Sequence, residues 1–197
     1  MKITSQMVKE LRDKTNAGMM DCKKALGETE GDMEKAVDLL RQKGLSVAAK
    51  RAGRATSEGV IECYIHAGSK LGVMVEVGCE TDFVAKTDDF QAFARDIAMH
   101  VAAVAPVAVT RKEIPQDMVD REKEIYVKQA KDSGKPDNII EKIVTGKIDK
   151  YLSEICLMDQ KFVKNPDLSI QDLLNELVAK MGENISIKRF ARFQIGE

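Results

Sequence analysis

The sequence has few of the residues that carry most enzyme chemistry. It contains no tryptophan among its 197 residues, aromatic residues make up 5% of the chain, and there are only two histidines. His66 and His100 have no nucleophile or carboxylate near them in the sequence that suggests a catalytic triad or a general base. The nucleotide-binding patterns G-x-x-x-x-G-K-[ST] and G-x-G-x-x-G are both missing. The sequence therefore does not predict an enzyme, and we expect no cofactor.

Cysteine is scarce and scattered, with no C-x-x-C pair. The four cysteines are Cys22, Cys63, Cys79 and Cys156. Their spacing is typical of reduced, packed thiols rather than of a disulfide framework or a zinc site. We therefore expect no metal site.

An excess of one charge and a long apolar run are also missing. The chain has 31 basic and 32 acidic residues, so nothing in its overall charge attracts nucleic acid or an anionic membrane. The longest apolar run, IAMHVAAVAPVAV, is interrupted by His100 and Pro106 and is shorter than the roughly 18 residues that a membrane span needs. The first fifteen residues lack the apolar core of a secretory signal. We expect a cytoplasmic protein that binds neither nucleic acid nor a membrane directly.

The N-terminal part of the sequence has the apolar spacing of three short helices. Thr4 or Ser5 is the predicted N-cap of the first helix, and the TNAG turn separates it from the second. Asp32 is the predicted N-cap of the third, which we expect to end at Gly44. The predicted inward-facing residues are Val8, Leu11, Met19, Cys22, Leu26, Met33, Ala36, Val37 and Leu40.

A basic segment follows, spanning residues 41 to 54. It contains Arg41, Lys43, Lys50, Arg51 and Arg54, with no acidic residue up to Ser57. Runs of charge are usually solvated faces, so we interpret the segment as a solvated helical linker. The alternative is a basic contact for an acidic partner or for RNA, although no aromatic residues are interleaved for base stacking.

The apolar period changes from helical spacing to two after Gly59. VIECYIHA and VMVEVGCE, separated by GSKLG, predict an antiparallel hairpin. Near the C-terminus ISIKRFARFQI also alternates and predicts a third strand, since a lone hairpin is marginally stable in water. The residues predicted on one face of that strand are Ile185, Ile187, Arg189, Ala191, Phe193 and Ile195.

Helical patterns fill the space between these strands. Helices are predicted at about 88–105, 116–133, 136–156 and 170–182, with Asp88 as the N-cap of the first. We therefore predict an α+β fold, in which an N-terminal three-helix module accompanies a small antiparallel three-stranded sheet packed with helices. The predicted domains are 1–54, the module with its linker, and 55–197, a core with its hairpin at 59–80 and its C-terminal strand at 185–195.

The stretch TDFVA lies between the hairpin and the helix predicted at 88–105. In one interpretation Thr81 or Asp82 caps a helical turn and Phe83 folds back onto the core. In the other, the turn presents an aromatic residue and an acid to a partner. Met19 and Met20 likewise fit either core packing or adaptable partner contacts.

Five ordered blocks of the sequence resemble one protein family. LRDKTNAGMMDCKKALGETEGDMEKAVDLLRQKG, CETDFVAK, MHVAA, SGKP and GENISIKRFARF are similar to segments of the elongation factor Ts family, and they are spread over residues 11–193, nearly the whole chain. The resemblance implies a guanine-nucleotide exchange factor that promotes GDP release from elongation factor Tu during translation. It also implies that the N-terminal module has a ubiquitin-associated-like fold.

The resemblance also implies which residues contact the partner. Thr81, Asp82, Phe83 and Val84 match the segment that disturbs the partner's magnesium. Further contacts are implied for Arg12, Met19 and Met20 and for His66 at the hairpin tip. Three roles are open for Asp82: it repels phosphate, it competes for a magnesium-bound water, or it caps the turn that holds Phe83, which is the role we favour.

The sequence departs from the family pattern in two places. Asn16 stands where the family usually has glycine, which is tolerable because asparagine also adopts left-handed backbone. Longer relatives carry a duplicated core half, a coiled-coil insertion and an extra C-terminal helix, and this sequence has none of them. We therefore expect a homodimer that supplies the missing contacts, built partly through the C-terminal strand.

A rival function comes from another class of protein. The three-helix module alone suits an adaptor that binds nascent chains or ubiquitin-like partners, with the sheet as scaffold. That interpretation predicts binding by residues 1–54 alone, whereas nucleotide exchange requires the segment 81–84.

Overall fold

A computed structural model describes residues 3–15, 17–132 and 136–197. Helices and a small sheet alternate along the chain, and the predicted α+β class is confirmed. Asn16 lies outside the described residues, as does Gly134, where we expected the helix beginning near residue 116 to end. Within the described ranges, no helix has the length and apolar character needed to cross a bilayer.

Three helices form the N-terminal module: α1 (Ser5–Thr15), α2 (Met19–Glu28) and α3 (Met33–Arg51). The Thr4 hydroxyl accepts the Met7 N–H at 3.3 Å, and the Asp32 carboxylate accepts the Lys35 N–H at 3.0 Å. These are the N-caps of α1 and α3, because each side chain satisfies a backbone donor that the first helical turn leaves unpaired. The buried core shared by the three helices consists of Val8, Leu11, Cys22, Ala25, Leu26 and Ala36.

The predicted end of α3 at Gly44 is wrong, because the helix continues to Arg51. The segment after Gly44, LSVAAKR, consists mostly of residues that tolerate or favour helix, so a single glycine does not stop it. A Cβ at Gly44 would lie 3.6 Å from the Ala179 Cβ, an ordinary van der Waals distance, so packing at this point does not require glycine. The chain leaves the helix at Gly53, which has φ +86°.

The sheet contains β1 (Glu58–Ile65), β2 (Leu71–Cys79) and the C-terminal β5 (Ile185–Gln194), in the order β1-β2-β5. Gly59 has φ +148°, and a Cβ there would lie 2.1 Å from the Val77 carbonyl oxygen. Only glycine allows the backbone of β1 to approach β2 this closely. In β2, the buried positions Val73, Val75 and Val77 alternate with more exposed ones, as a sheet with one covered face requires.

The remaining elements follow β2 along the chain. They are α4 (Asp82–Ala85), α5 (Asp88–Val104), α6 (Gln116–Asp132), α7 (Asp137–Ile155), β3 (Lys161–Phe162), β4 (Asn165–Ser169) and α8 (Ile170–Met181). In α5, the apolar residues whose helical spacing predicts an inner face are all buried, namely Phe90, Phe93, Ala94, Ile97, Ala98, Val101 and Ala102. The antiparallel pair β3–β4 was not predicted, because its strands are too short to show a periodic pattern.

The residues predicted on one face of β5 are not equally covered. Ile185 and Ile187 are buried, but Arg189, Ala191, Phe193 and Ile195 are exposed. After Ile187 the partly covered residues of the strand are Phe190 and Arg192. The exposed residues of the predicted face include two large apolar side chains.

The chain folds as two compact units. The first comprises Met1–Glu62, Glu76–Arg95 and Asp172–Ile187, and the second comprises Cys63–Val75, Asp96–Gln171 and Lys188–Glu197. The first contains the three-helix module and the segment around Phe83. A domain boundary after residue 54 stays a prediction.

Candidate functional site

Residues 81 to 84, called the TDFV turn from here on, lead from the end of β2 into the four-residue helix α4. Thr81 has extended backbone, and its hydroxyl oxygen accepts the Val84 N–H at 3.5 Å. Val84 is 9% exposed, whereas the neighbouring Phe83 is 79% exposed. The turn therefore has its valine in the core and its phenylalanine in solvent.

Two interpretations of this turn are wrong. Phe83 does not fold back onto the core, because most of its surface is in solvent. Asp82 is not the N-cap, since Thr81 occupies that position. The Asp82 carboxylate instead pairs with the Lys86 ammonium at 2.5 Å, one helical turn later. This hydrogen bond lowers the pKa of Asp82 and keeps a negative charge beside Phe83.

Glu183, in the turn between α8 and β5, holds Thr81 from outside the TDFV turn. Its carboxylate accepts the Thr81 N–H at 3.0 Å and the Thr81 hydroxyl at 2.7 Å. Both residues are half-buried, and they are separated by 102 residues of sequence. The hydroxyl hydrogen is committed to Glu183, so a lone pair of the same oxygen is left for the Val84 N–H.

The neighbouring residues Glu80 and Asn184 form a second link beside the first. The Glu80 carboxylate accepts the Asn184 N–H at 2.6 Å and pairs with Arg54 at 3.5 Å. The Asn184 side chain donates to the Arg54 carbonyl at 2.7 Å. The bond from Asn184 is the main cause that lowers the pKa of Glu80. Glu80 and Thr81, two consecutive residues, are thus hydrogen-bonded to Asn184 and Glu183, which are also consecutive.

The far end of the turn is also fixed, by Thr87. Its hydroxyl donates to the Val84 carbonyl at 2.8 Å, and its oxygen accepts the Phe90 N–H at 3.3 Å. Thr87 is therefore the N-cap of α5, and the prediction of Asp88 for that position is wrong. Asp88 is the first helical residue, where an acid interacts favourably with the helix dipole.

The module places Arg12, Met19 and Met20 on its surface. Met19 is 54% exposed and Met20 is 63% exposed, so core packing is wrong for both, including the inward position predicted for Met19. Cys22, Ala25 and Leu26 take the buried positions of α2 instead. Met19 and Met20 open the helix after Gly18, and Arg12 is exposed on α1.

The two histidines have different environments. His66 is exposed where β1 ends, and its Nδ1 lies 3.0 Å from the Tyr64 hydroxyl. It belongs to the second unit, whereas the TDFV turn belongs to the first. From its place in a helical pattern we expected His100 to meet solvent or make one hydrogen bond, but it is fully buried and that expectation is wrong. Its Nδ1 accepts the Val163 N–H at 3.4 Å, and its Nε2 lies 3.0 Å from the Gln160 side-chain oxygen.

The basic segment 41–54 is partly neutralised by acids that are distant in the sequence. Arg41 pairs with Asp172 at 2.9 Å and Lys43 with Glu28 at 2.8 Å, while Arg54 pairs with Glu80. The segment is thus mostly the exposed end of α3, with fewer free charges than its sequence suggests.

The cysteines are free, and Cys63 alone among them is exposed. In the part of the chain that the structure describes, no group of three or more histidine, cysteine, aspartate and glutamate side chains is arranged to hold a metal ion. The exposed position of Cys63 was not expected from a pattern of packed thiols.

Sequence reasoning missed Glu183 and Thr87 as parts of the site. Thr87 had a local signal, because a threonine three residues before Phe90 is a common N-cap pattern. Glu183 had none, since its partner Thr81 is distant in the sequence. The block GENISIKRFARF contributed to the resemblance and to the predicted third strand, but gave no sign that Glu183 contacts Thr81.

Comparison with known proteins gives a consistent result. The model of the family described as elongation factor TS matches residues 1–197. The chain is 75% identical over 196 residues to elongation factor Ts of Desulfotalea psychrophila (strain LSv54 / DSM 12343), covering 100% of both chains. It is 60% identical over 195 residues to elongation factor Ts of Carboxydothermus hydrogenoformans (strain ATCC BAA-161 / DSM 6008 / Z-2901), covering 99% of this chain and 90% of that protein.

A third relative, elongation factor Ts of Geobacter sulfurreducens (strain ATCC 51573 / DSM 12127 / PCA), is 60% identical over 197 residues and is covered to 91% of its length. The family model matches the whole chain, and the three relatives, at 60 to 75% identity, all have the same family name. The chain belongs to the elongation factor Ts family and has a role in translation elongation.

Proposed function

We propose that this protein is a guanine-nucleotide exchange factor. It binds elongation factor Tu in the GDP-bound and the nucleotide-free state, and it promotes GDP release by disturbing the magnesium and phosphate site of that partner. The reaction takes place in the cytoplasm and requires no covalent step and no cofactor. Family membership and the form of the TDFV turn support the proposal.

The observation that carries the proposal is the exposure of Phe83. An aromatic side chain that is 79% exposed, on a turn held by hydrogen bonds at both ends, has apolar surface to lose only when a partner covers it. Burying a phenylalanine is worth roughly 1.5 to 3 kcal/mol. When a loop of the partner moves so that it covers Phe83, the moved conformation of that loop gains this free energy relative to the conformation that holds the nucleotide.

Small movements of such a loop are enough to weaken a bound nucleotide. Magnesium in a GTPase requires near-ideal octahedral geometry and bridges the protein to the phosphates. Because about 1.4 kcal/mol corresponds to a tenfold change in affinity, Phe83 alone accounts for roughly 10- to 150-fold weaker GDP binding. A broader interface supplies any larger effect.

Arg12, Met19, Met20 and His66 are proposed as parts of that broader interface. All four are exposed, and the two methionines offer flexible apolar side chains that adapt to a partner surface. Asp82 is proposed to act through its charge, because the capping role belongs to Thr81. The coupling is reciprocal: a factor that weakens GDP binding is itself bound more weakly when GDP is present.

We also propose that the protein forms a homodimer. β5 is an edge strand of the sheet, and its outward residues Phe193 and Ile195 are 69% and 73% exposed. Ile65 and Met74 in the same unit are 64% and 47% exposed. Exposed edges and contiguous apolar side chains are usually covered by another chain. Sedimentation that gives a monomer at every concentration would contradict this part of the proposal.

Release of fluorescent GDP from elongation factor Tu tests the exchange function. We expect the wild-type protein to accelerate release and Phe83→Ala to remove most of that acceleration. Ile125→Ala is the matched control, since Ile125 is also an exposed apolar residue on a helix but lies in the other unit. Equal rates with and without the wild-type protein would rule out the proposal.

The adaptor function is the second candidate, because Met19 and Met20 expose apolar surface on the three-helix module. It predicts that Met20→Ala abolishes partner binding by the full chain while Phe83→Ala has no effect. The exchange function predicts that both variants impair GDP release. The two variants together therefore separate the candidates.

A further inference from the structure

Thr81 is held by Glu183 in a way that ordinary capping does not require. Thr81 already caps α4 by accepting the Val84 N–H, which is the usual role of a threonine at this position. It also gives both of its donors, the backbone N–H at 3.0 Å and the hydroxyl at 2.7 Å, to one carboxylate. A bidentate, charge-assisted contact restricts the direction of the residue more than a single bond does.

The segment that contains Glu183 contacts the turn from its beginning to its end. Asn184 bonds to Glu80 just before the turn, and the Thr87 hydroxyl lies 3.8 Å from the Met181 sulfur just after it. Residues 181 to 184 thus support a helix of four residues, α4, that is far too short to be stable alone.

Phe83 needs such support because solvent is not its preferred environment. A flexible turn would let the ring fold back onto nearby apolar surface, and each binding event would then have to order it again. A rigid turn holds the ring in the orientation that a partner can bury, and it removes that ordering cost from binding.

We propose that Glu183 is a positioning residue for nucleotide exchange: its carboxylate fixes Thr81 and thereby keeps Phe83 directed outward. The inference rests on the proposed exchange function. Glu183 is half-buried and acts through Thr81, so it is not itself proposed to touch the nucleotide or its magnesium.

Glu183→Gln tests the proposal, because glutamine keeps the length of the side chain but replaces one acceptor oxygen with an amide nitrogen. We expect GDP release at saturating exchange factor to slow roughly tenfold, as for loss of a charge-assisted hydrogen bond. Circular dichroism and the midpoint of thermal unfolding serve as checks that the variant is folded.

The chain provides a matched control for this substitution. Glu113 also accepts a threonine hydroxyl and a backbone N–H, from Thr110 at 2.7 Å and Val109 at 3.3 Å, but it lies in the second unit. We expect Glu113→Gln to leave the rate of GDP release at the wild-type value. Equal slowing by the two variants would show a general effect on the fold and would overturn the proposal.

A second pair of variants changes the donor instead of the acceptor. Thr81→Ser keeps the hydroxyl and the N–H, so we expect it to slow release less than Thr81→Val does. Thr81→Val removes the hydroxyl and is expected to slow release at least as much as Glu183→Gln, because α4 also loses its cap. This pair keeps the proposal testable even if Glu183→Gln does not fold. Normal release by Thr81→Val would contradict it.

The decisive measurement combines Glu183→Gln with Phe83→Ala. If Glu183 acts through Phe83, adding Glu183→Gln to Phe83→Ala slows release no further. A further tenfold loss in the double variant would overturn the positioning role. If Phe83→Ala alone has no effect, the proposed exchange function itself fails. If Phe83→Ala slows release and Glu183→Gln does not, only the present inference fails.

Discussion

Phe83 and Phe193 are both strongly exposed, at 79% and 69%, but their surroundings differ. Phe83 is the one large exposed side chain of a short turn, and hydrogen bonds to Glu183 and Thr87 fix that turn. Phe193 lies on an extended strand beside other exposed apolar residues. A single aromatic on a fixed turn suits insertion into a partner, whereas a broad apolar strand surface suits association with a similar surface. Exposure alone therefore does not define a function.

Phe83→Ala should produce the largest change. We expect catalysed GDP release to slow roughly 10- to 150-fold, because the burial energy of one phenylalanine ring is lost. The oligomeric state should not change. Stopped-flow measurements with fluorescent GDP give the rate, and sedimentation velocity gives the state. Normal release together with a lost dimer would reverse the roles assigned to the two phenylalanines.

Phe193→Ala should show the opposite pattern. We expect the dimer dissociation constant to rise roughly tenfold or more, while GDP release at saturating exchange factor stays within about twofold of wild type. Sedimentation equilibrium over a range of concentrations measures the first effect. An unchanged dissociation constant would remove Phe193 from the proposed dimer contact.

Lowering the pH should weaken the hydrogen bonds around the TDFV turn more than the surface around Phe193. We expect this effect to be smaller than the effects of the two phenylalanine substitutions. The pKa of Glu80 is lowered, chiefly by the Asn184 N–H, so the unfolded chain binds its proton more readily than the folded chain does. The stability that Glu80 contributes is therefore complete above its ordinary pKa of 4.5 and is lost as the pH falls through the lower folded value. Hydrogen exchange at the Asn184 amide, corrected for the intrinsic rate, should accelerate over this range.

The surface near Phe193 contains no carboxylate among the residues that line it, so its amides provide the comparison. We expect the protection of the Leu71 and Val73 amides to change less than that of Asn184 over the same range. In Glu80→Gln, the pH dependence at Asn184 should be reduced. Equal loss of protection at all three amides would indicate global unfolding instead.

Asp82→Asn should give the smallest effect on stability. The carboxylate and the Lys86 ammonium form an exposed pair, which contributes little to stability because solvent screens it. The midpoint of thermal unfolding should therefore hardly change. If GDP release nevertheless slows more than tenfold, the charge of Asp82 acts on the partner. Release within about twofold of wild type would exclude the charge-based roles.

Periodicity was sufficient for most of the fold but not for the support of the site. The inner face of α5 was predictable because seven apolar residues share a helical spacing. The TDFV turn was predictable because it interrupts two regular patterns. Its bond to Glu183 was not, since local patterns carry no information about a partner 102 residues away.

One further error has a physical reason. Gly44 is a poor helix residue by propensity, but helix-compatible neighbours outweigh that preference. A shared face also does not fix burial, because Phe193 alternates with buried Ile185 and is itself exposed. Alternation therefore predicted the strand but not which of its residues are covered.

The bond between Thr81 and Glu183 also has a consequence for the order in which the protein matures. A ribosome makes the three-helix module, the hairpin and Phe83 long before it reaches residue 183. Contacts between residues so distant in the sequence form late, because the intervening chain must first be closed into a loop. A nascent or truncated chain that stops before Glu183 therefore carries the whole TDFV segment without the acceptor that orients it. Under the proposed function, the orientation of Phe83 is therefore completed only after Glu183 has been made.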